Sequence, residues 1–507
     1  MLKKIRSKKV LNIIFENLKR RLEMNIVKYN KKMQGKLNIK EKDFQNYILL
    51  TELNEKFKLN IKDVDIKEIN LKDKILGNKI LEHLTKIGFY NLKELNLSND
   101  NISDIKSLSS INLDKLEKLN LKWNKISDIN ILEKVNLKKL KELIFNRNKI
   151  SDIKILEKVK FGNIEYLDLS FNEIVDIKIL EKVNFKLLKL LNLGKNHILD
   201  INILENVEFE KLENLDLSRN LIKDINIFEK VNFKSLNSLK LSKNDISDIK
   251  VLENVKFENL KLLELYGNKI SDIKVLENVD FKKLEILNLY DNSISDINVL
   301  ENVKFENLLI LNLGFNNISD IKVLEKVNFK KLCLLYLTNN QISDISSLEY
   351  AKFENLELLK LNWNKIRDIN ILEKVNYPNL NILDLSGNSI SNINSLEKAK
   401  FKRLINLDIS NNKITDINIF EKFNFEQLES FDLSYNEITD INILENVNFK
   451  NIKLLDLSHN KIKDINILKN VNFGKLKELN LVYNEINEKE CLTTITMVKS
   501  IIPDFLC

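Results

Sequence analysis

Asp384, Asp408, Asp432 and Asp456 stand 24 residues apart, and carboxylates brought side by side by such a spacing could share a proton or hold a cation. Like charges about 5 Å apart repel, so a cationic partner would relieve them. As exposed groups in water they also tolerate that spacing, and the Leu-Asp-Leu-Ser context of each is a common way to write a repeating strand. One carboxylate per strand supplies too few oxygens for a metal shell. The histidines, His83, His197 and His459, fall in unrelated places, and no serine or cysteine has a histidine at a matching position to act as its base. A phosphate-binding loop is also missing. The chain is therefore expected to be non-enzymatic, with no cofactor and no metal.

These spacings belong to a larger one. Seventeen copies of a 24-residue unit begin at Leu92, Leu116, Leu140 and so on to Leu476, the last truncated, with no insertion between them. In the copy Leu260 to Lys283, the apolar set is Leu260, Leu263, Leu265, Ile270, Ile273, Leu276, Val279 and Phe281. Alternation in the short strand points Leu263 and Leu265 inward and Leu262, Glu264 and Tyr266 outward. Asn268 recurs from Asn124 to Asn484, where a buried amide can satisfy backbone groups that a bend leaves unpaired. Asp272 recurs from Asp104 onward, replaced by Asn392 and Glu488, and reads as a carboxylate cap on a short 3₁₀ or α turn. The Phe281 column, Phe161 to Phe473 with Tyr377 as one member, reads as a core spine.

Residues 92–487 resemble the leucine-rich repeats of the internalin and protein phosphatase-1 regulatory-subunit class, whose unit runs L-x-x-L-x-L-x-x-N-x-I-x-D-I-x-x-L. The resemblance implies an α/β solenoid, horseshoe or arc, with a parallel concave sheet and short convex turns. It also implies protein–protein interaction, with phosphatase-1 regulation as one form. This unit has 24 rather than the usual 22 residues and lacks the proline that commonly follows D-I-x.

Composition narrows the setting. A solenoid of 507 residues grows by stacking and needs no division into globular domains. Cys333, Cys491 and Cys507 are too few for disulfide caps and have no metal-ligand spacing, which favours a reducing compartment. No signal peptide or membrane-length run is evident, so an intracellular site, cytoplasm or nucleus, is expected, unlike the export usual for bacterial internalins. Net charge is +8, yet residues 1–43 alone hold fourteen Lys and Arg against four Asp and Glu. The remainder is thus slightly acidic, and nucleic acid is not expected on the repeats.

The head, 1–43, places Val10, Leu11, Ile14, Phe15, Leu18 and Leu22 at helical spacing, followed by Ile26, Tyr29 and Met33. A helical cap over the first repeat is one reading. From Val10 to Leu18, with Ile26, Val27 and Tyr29 to Lys31, the head also resembles an F-box, which implies a cullin-ligase adaptor as partner and substrate selection for a ubiquitin ligase. A third reading is a basic amphipathic helix on an anionic membrane or nucleic acid. Residues 44–91 are transitional: Ile66, Ile69 and Leu71, then Leu81, Leu84, Ile87 and Phe89, form a degenerate repeat lengthened by two residues. Residues 488–507 leave the period, and Leu492, Ile495, Val498, Ile501 and Ile502 suggest a helical lid.

Because the core consumes the inward positions, function falls to the outward ones. Leu262, Ile286, Ile310, Leu334, Leu358 and Ile382 occupy one outward position in six consecutive copies, joined by Tyr266, Tyr290, Phe315, Tyr336 and Trp363. A contiguous apolar and aromatic strip on exposed sheet marks a protein interface; the alternative is a sheet margin half covered by its neighbours. A second, basic strip is formed by Lys118, Lys122, Trp123, Arg147, Lys195, Arg219, Lys240 and Lys243, interrupted by Asp168 and Asp216, and would suit an acidic partner segment or simply face water.

Overall fold

The computed structural model describes residues 41–487, apart from 62, 162, 423–425, 448–450 and 473, together with 504–506. The helical head, with its F-box-like and membrane readings, lies outside the described residues save for its last three positions, as do the proposed lid from Leu492 to Ile502, Cys491 and Cys507. The chain forms two compact units divided between Leu212 and Glu213.

The first unit holds a helix α1 (Glu41–Phe57), strands β1 (Glu68–Asn70), β2 (Glu94–Asn96), β3 (Lys118–Asn120), β4 (Glu142–Ile144), β5 (Tyr166–Asp168) and β6 (Leu190–Asn192), and a short helix α2 (Lys79–Leu84). Adjacent strands pair in parallel, Leu95 beside Leu119 and Leu119 beside Leu143. β1 joins them with Ile69 beside Leu95, a step of 26 rather than 24 residues that α2 fills with buried Ile80, Leu81 and Leu84. Helix α1 is pinned by Asn46, whose Nδ2 donates to the Tyr90 hydroxyl at 3.1 Å and whose Oδ1 accepts from the Gly88 N–H at 3.1 Å. Along the solvent side of this unit Lys93, Glu117 and Lys141 alternate one repeat apart, with Glu117–Lys141 at 2.9 Å. The ammonium groups of Lys141 and Lys93 hold the Glu117 carboxyl down to about 2.

The second unit repeats the strand every 24 residues from Asn214–Asp216 to Glu478–Asn480. Pairing is again parallel and in register, as in Leu263 beside Leu287 and Leu287 beside Leu311. Asp504–Leu506 adds a further parallel strand, Phe505 beside Leu479.

Three-residue strands contribute little by themselves, and packing holds each repeat. Leu263, Leu265, Ile270, Ile273, Leu276, Val279 and Phe281 are all buried, each fully buried side chain contributing roughly 2 kcal/mol. The Phe column stacks on itself, Phe161–Phe185 at 6.0 Å and Phe185–Phe209 at 6.2 Å between ring centroids. Opposite the strands lies a 3₁₀ turn, Lys274–Glu277, which starts two residues after Asp272. The Asp272 carboxylate accepts the Lys274 N–H at 2.9 Å, and Asn392 does the same for Asn394 at 2.9 Å. The bend between strand and turn is closed by the asparagine ladder. Asn316 Nδ2 donates to the carbonyls of Leu289, Leu313 and Gly314 at 3.0, 3.1 and 3.1 Å, and its Oδ1 accepts the Ile294 N–H at 2.9 Å. One side chain thus ties two repeats together.

Candidate protein-binding face

Strand register brings the six aliphatic side chains into one row. Leu262, Ile286, Ile310, Leu334, Leu358 and Ile382 are direct neighbours on successive strands of the second unit, about 4.8 Å apart. Each is half-buried, because the flanking members of the row cover its sides and leave its tip outward. The row is contiguous and apolar, and its members shield one another.

The aromatic residues do not share that row. Tyr336 stands two residues further along its strand, paired with Asn312 and Lys360. Tyr266 and Tyr290 lie just past the strand, and Phe315 and Trp363 fall one residue later, immediately before the ladder asparagine. That last position has left-handed backbone whatever its residue: φ is +68° at Gly267, +53° at Phe315, +56° at Trp363 and +63° at Gly387. Left-handed geometry costs a non-glycine residue about 1–2 kcal/mol, and the fold imposes it because the ladder asparagine must turn inward. Side chains here lean over the next repeat. A Cβ on Gly387 would lie 2.6 Å from the Trp363 indole, and the Tyr290 and Phe315 rings meet at 4.8 Å. Phe315 and Trp363 remain 40% and 55% exposed. Beyond the aliphatic row on the ladder side comes a mixed strand column, Glu264, Asn288, Asn312, Tyr336, Lys360 and Asp384, and past it stand the remaining aromatic residues.

The basic residues separate by position and by unit. In the first unit Lys118 lies on its strand and is matched by Glu142 at 2.5 Å, whereas Lys122, Trp123, Arg147 and Lys195 stand exposed on the left-handed edge or beside it. In the second unit Lys240 faces Glu264 at 3.7 Å, and Arg219 and Lys243 hold left-handed positions. Lys118 and Lys240 are thus strand residues with carboxylate partners one repeat on, and the expected single strip is divided.

The aspartate column is not an exposed face. Asp384 is buried and Asp408, Asp432 and Asp456 half-buried, side by side in the sheet. Each accepts from the serine two residues on: Asp408 Oδ1 takes the Ser410 N–H at 3.0 Å and its hydroxyl at 2.7 Å. Burial, then repulsion from Asp384 and Asp432, pushes the Asp408 carboxyl up to about 6, and burial raises Asp432 as well. Asparagine does the turn's work elsewhere, Asn312 Oδ1 accepting from Gly314 at 3.1 Å. Since the folded value for Asp408 exceeds the unfolded 3.8, its folded form holds the extra proton, and stability falls as pH rises from about 4 through about 6. Asp408→Asn is expected to gain roughly 2 kcal/mol at pH 7, discounted for the water-exposed part of the group, and to flatten that pH slope. Urea midpoints at pH 5 and pH 7.5 for both chains check this; equal midpoints at pH 7.5 would remove the argument.

Sequence reading missed Phe171, Tyr435 and Tyr483, and gave His459 no place. All four stand on the left-handed edge. In the second unit Tyr435, His459 and Tyr483 stack at 3.9 and 4.3 Å. The signal was available, since each immediately precedes a ladder asparagine. Among the described residues no group of three or more His, Cys, Asp or Glu could hold a metal ion, and no helix there is long and apolar enough to cross a membrane.

A parallel sheet backed by 3₁₀ turns and stitched by asparagines is the architecture of a leucine-rich repeat solenoid, and models of such repeats match residues 402–446 (two copies) and 114–129 (one copy). The chain is a leucine-rich repeat protein with internalin-like structural neighbours. An internalin, InlF from Listeria monocytogenes, is similar at 26% identity and a TM-score of 0.50, over 68% of this chain and 88% of that one. The functional domain of InlJ from the same organism, which includes a cysteine ladder, is similar at 19% identity and TM-score 0.53, over 76% and 77% of the two chains. The plant peptide hormone receptor RGFR1, solved in complex with RGF2, is similar at 19% and 0.55, over 81% and 69%. A comparison with curated proteins finds no match.

Proposed function

We propose that this chain is a non-enzymatic intracellular scaffold that grips a protein partner on the strand face of its second unit. The observation that supports it is the in-register row Leu262 to Ile382, with aromatic residues further along the same repeats. Six aliphatic side chains with outward tips present a continuous apolar track, and Tyr and Trp beside it are the types that dominate binding energy. The partner's contact segment is apolar where it meets the row and polar at its rim. In a purification from native cells, the partner bound by the full chain is expected to be lost at least about tenfold with Tyr290→Ala, Tyr336→Ala and Trp363→Ala combined, each truncation removing roughly 1–2 kcal/mol or more. Ile310→Glu, which sets a charge in the middle of the row without opening the core, is expected to do the same. A partner retained equally by both variants, with unchanged melting curves, would place the site elsewhere.

A further inference from the structure

The first unit carries a second edge of different chemistry. Trp123, Arg147, Phe171 and Lys195 occupy four consecutive left-handed positions, with φ of +57°, +59°, +55° and +54°. Ring and cation alternate along them. The Arg147 guanidinium carbon lies 4.9 Å from the centre of the Trp123 ring and 4.0 Å from that of Phe171, and Lys195 Nζ lies 4.8 Å from the centre of the Phe171 ring. Bulky side chains persist here in a backbone conformation that glycine or asparagine would adopt with less strain, which points to a use for the side chains themselves.

Arg147 lies close to both rings, which limits the freedom of its guanidinium to turn, and the side chain is exposed, so its N–H groups stay open to a ligand. Such a fork is arranged in advance to meet two oxygens in its own plane. The Arg147 side chain has no hydrogen bond or ion pair among the described residues, and exposed Lys122, Lys125, Lys149 and Lys195 surround it; Glu173 is the one carboxylate exposed beside them at the ladder bend. Neighbouring carboxylates are engaged elsewhere, Glu142 with Lys118 and Asp168 with the Ser170 N–H and hydroxyl.

We propose that this edge binds an acidic protein segment, with Arg147 taking one side-chain carboxylate in a bidentate pair, Trp123 and Phe171 holding the fork, and the lysines taking flanking carboxylates. It is independent of the apolar row, which lies in the other unit. The test uses the full chain and a fluorescein-labelled octaglutamate peptide, read by anisotropy. Binding is expected to weaken by about tenfold between roughly 50 and 200 mM salt. Arg147→Lys, which keeps the charge and loses the fork, should weaken it roughly fivefold, and Arg147→Gln further. Trp123→Ala should resemble Arg147→Lys, while Lys352→Gln, in the second unit, should change nothing; unchanged melting curves separate these effects from misfolding. Equal binding by wild type, Arg147→Lys and Trp123→Ala would overturn the proposal. So would Arg147-dependent binding of a phosphoserine peptide or an oligouridine without binding of octaglutamate, or an Arg147-dependent self-association in sedimentation with no peptide bound.

Discussion

Asn316→Ala is expected to destabilise the second unit by roughly 3 kcal/mol or more, a larger loss than its exposed surroundings would suggest. The side chain is almost fully buried, and its removal strips the acceptor from the Ile294 N–H and takes a donor from the carbonyls of Leu289, Leu313 and Gly314. A buried group left unpaired costs about 1–3 kcal/mol, and water has little room to replace a side chain wedged between two repeats. Asn316→Asp is expected to be nearly as harmful, because its second oxygen would face three carbonyl oxygens in place of the amide donor. Asp100, which holds this place at the start of the ladder, illustrates the difficulty: burial pushes its carboxyl up to about 6. Hydrogen exchange read by mass spectrometry should show protection lost around residues 290–320 first, since each repeat touches only its neighbours. A urea midpoint unchanged for Asn316→Ala would mean that the ladder is ornamental to stability.

The ladder was legible in the sequence because a fixed position with one residue type in nearly every copy has a structural cause that a period reveals. The same holds for the buried columns from Leu263 to Phe281 and for the aliphatic row, where parallel register at 24-residue steps follows from uniform unit length. The left-handed edge was not legible from residue type. Gly267, Gly387, Asn339 and Asn411 would announce positive φ, but Trp123, Arg147 and Phe171 do not, and only the shared place before the ladder asparagine unites them. Burial of the aspartates was hidden for another reason. Alternation puts Asp408 on the outward face, yet the neighbouring strands and the Ser410 side chain fold around it, and alternation says nothing of lateral cover. Two members of the basic strip have partners: Lys118 and Lys240 each meet a glutamate one repeat further on, a pairing that a reading of one charge sign alone overlooks.

Phe281→Ala should cost roughly 3–5 kcal/mol, the range for deleting a buried aromatic ring whose surroundings cannot collapse. The ring is 1% exposed, in a column with Phe257 and Phe305, also 1% exposed, and strands above and turns below fix the distance across which the cavity would have to close. Register and the asparagine ladder both resist that collapse, so most of the cavity should persist. Tyr377→Phe gives the contrast. Its hydroxyl donates to the Leu348 carbonyl at 2.9 Å, and removing it is expected to cost about 1 kcal/mol, since phenylalanine fits the same column at Phe353 and Phe329. The two substitutions therefore separate volume from hydrogen bonding within one spine. Urea unfolding, with limited proteolysis to locate the first cut, should place the Phe281→Ala cut within the repeats that flank it. A cut appearing first in distant repeats would mean that the unit unfolds as one body, with stability shared along its length rather than held between neighbours.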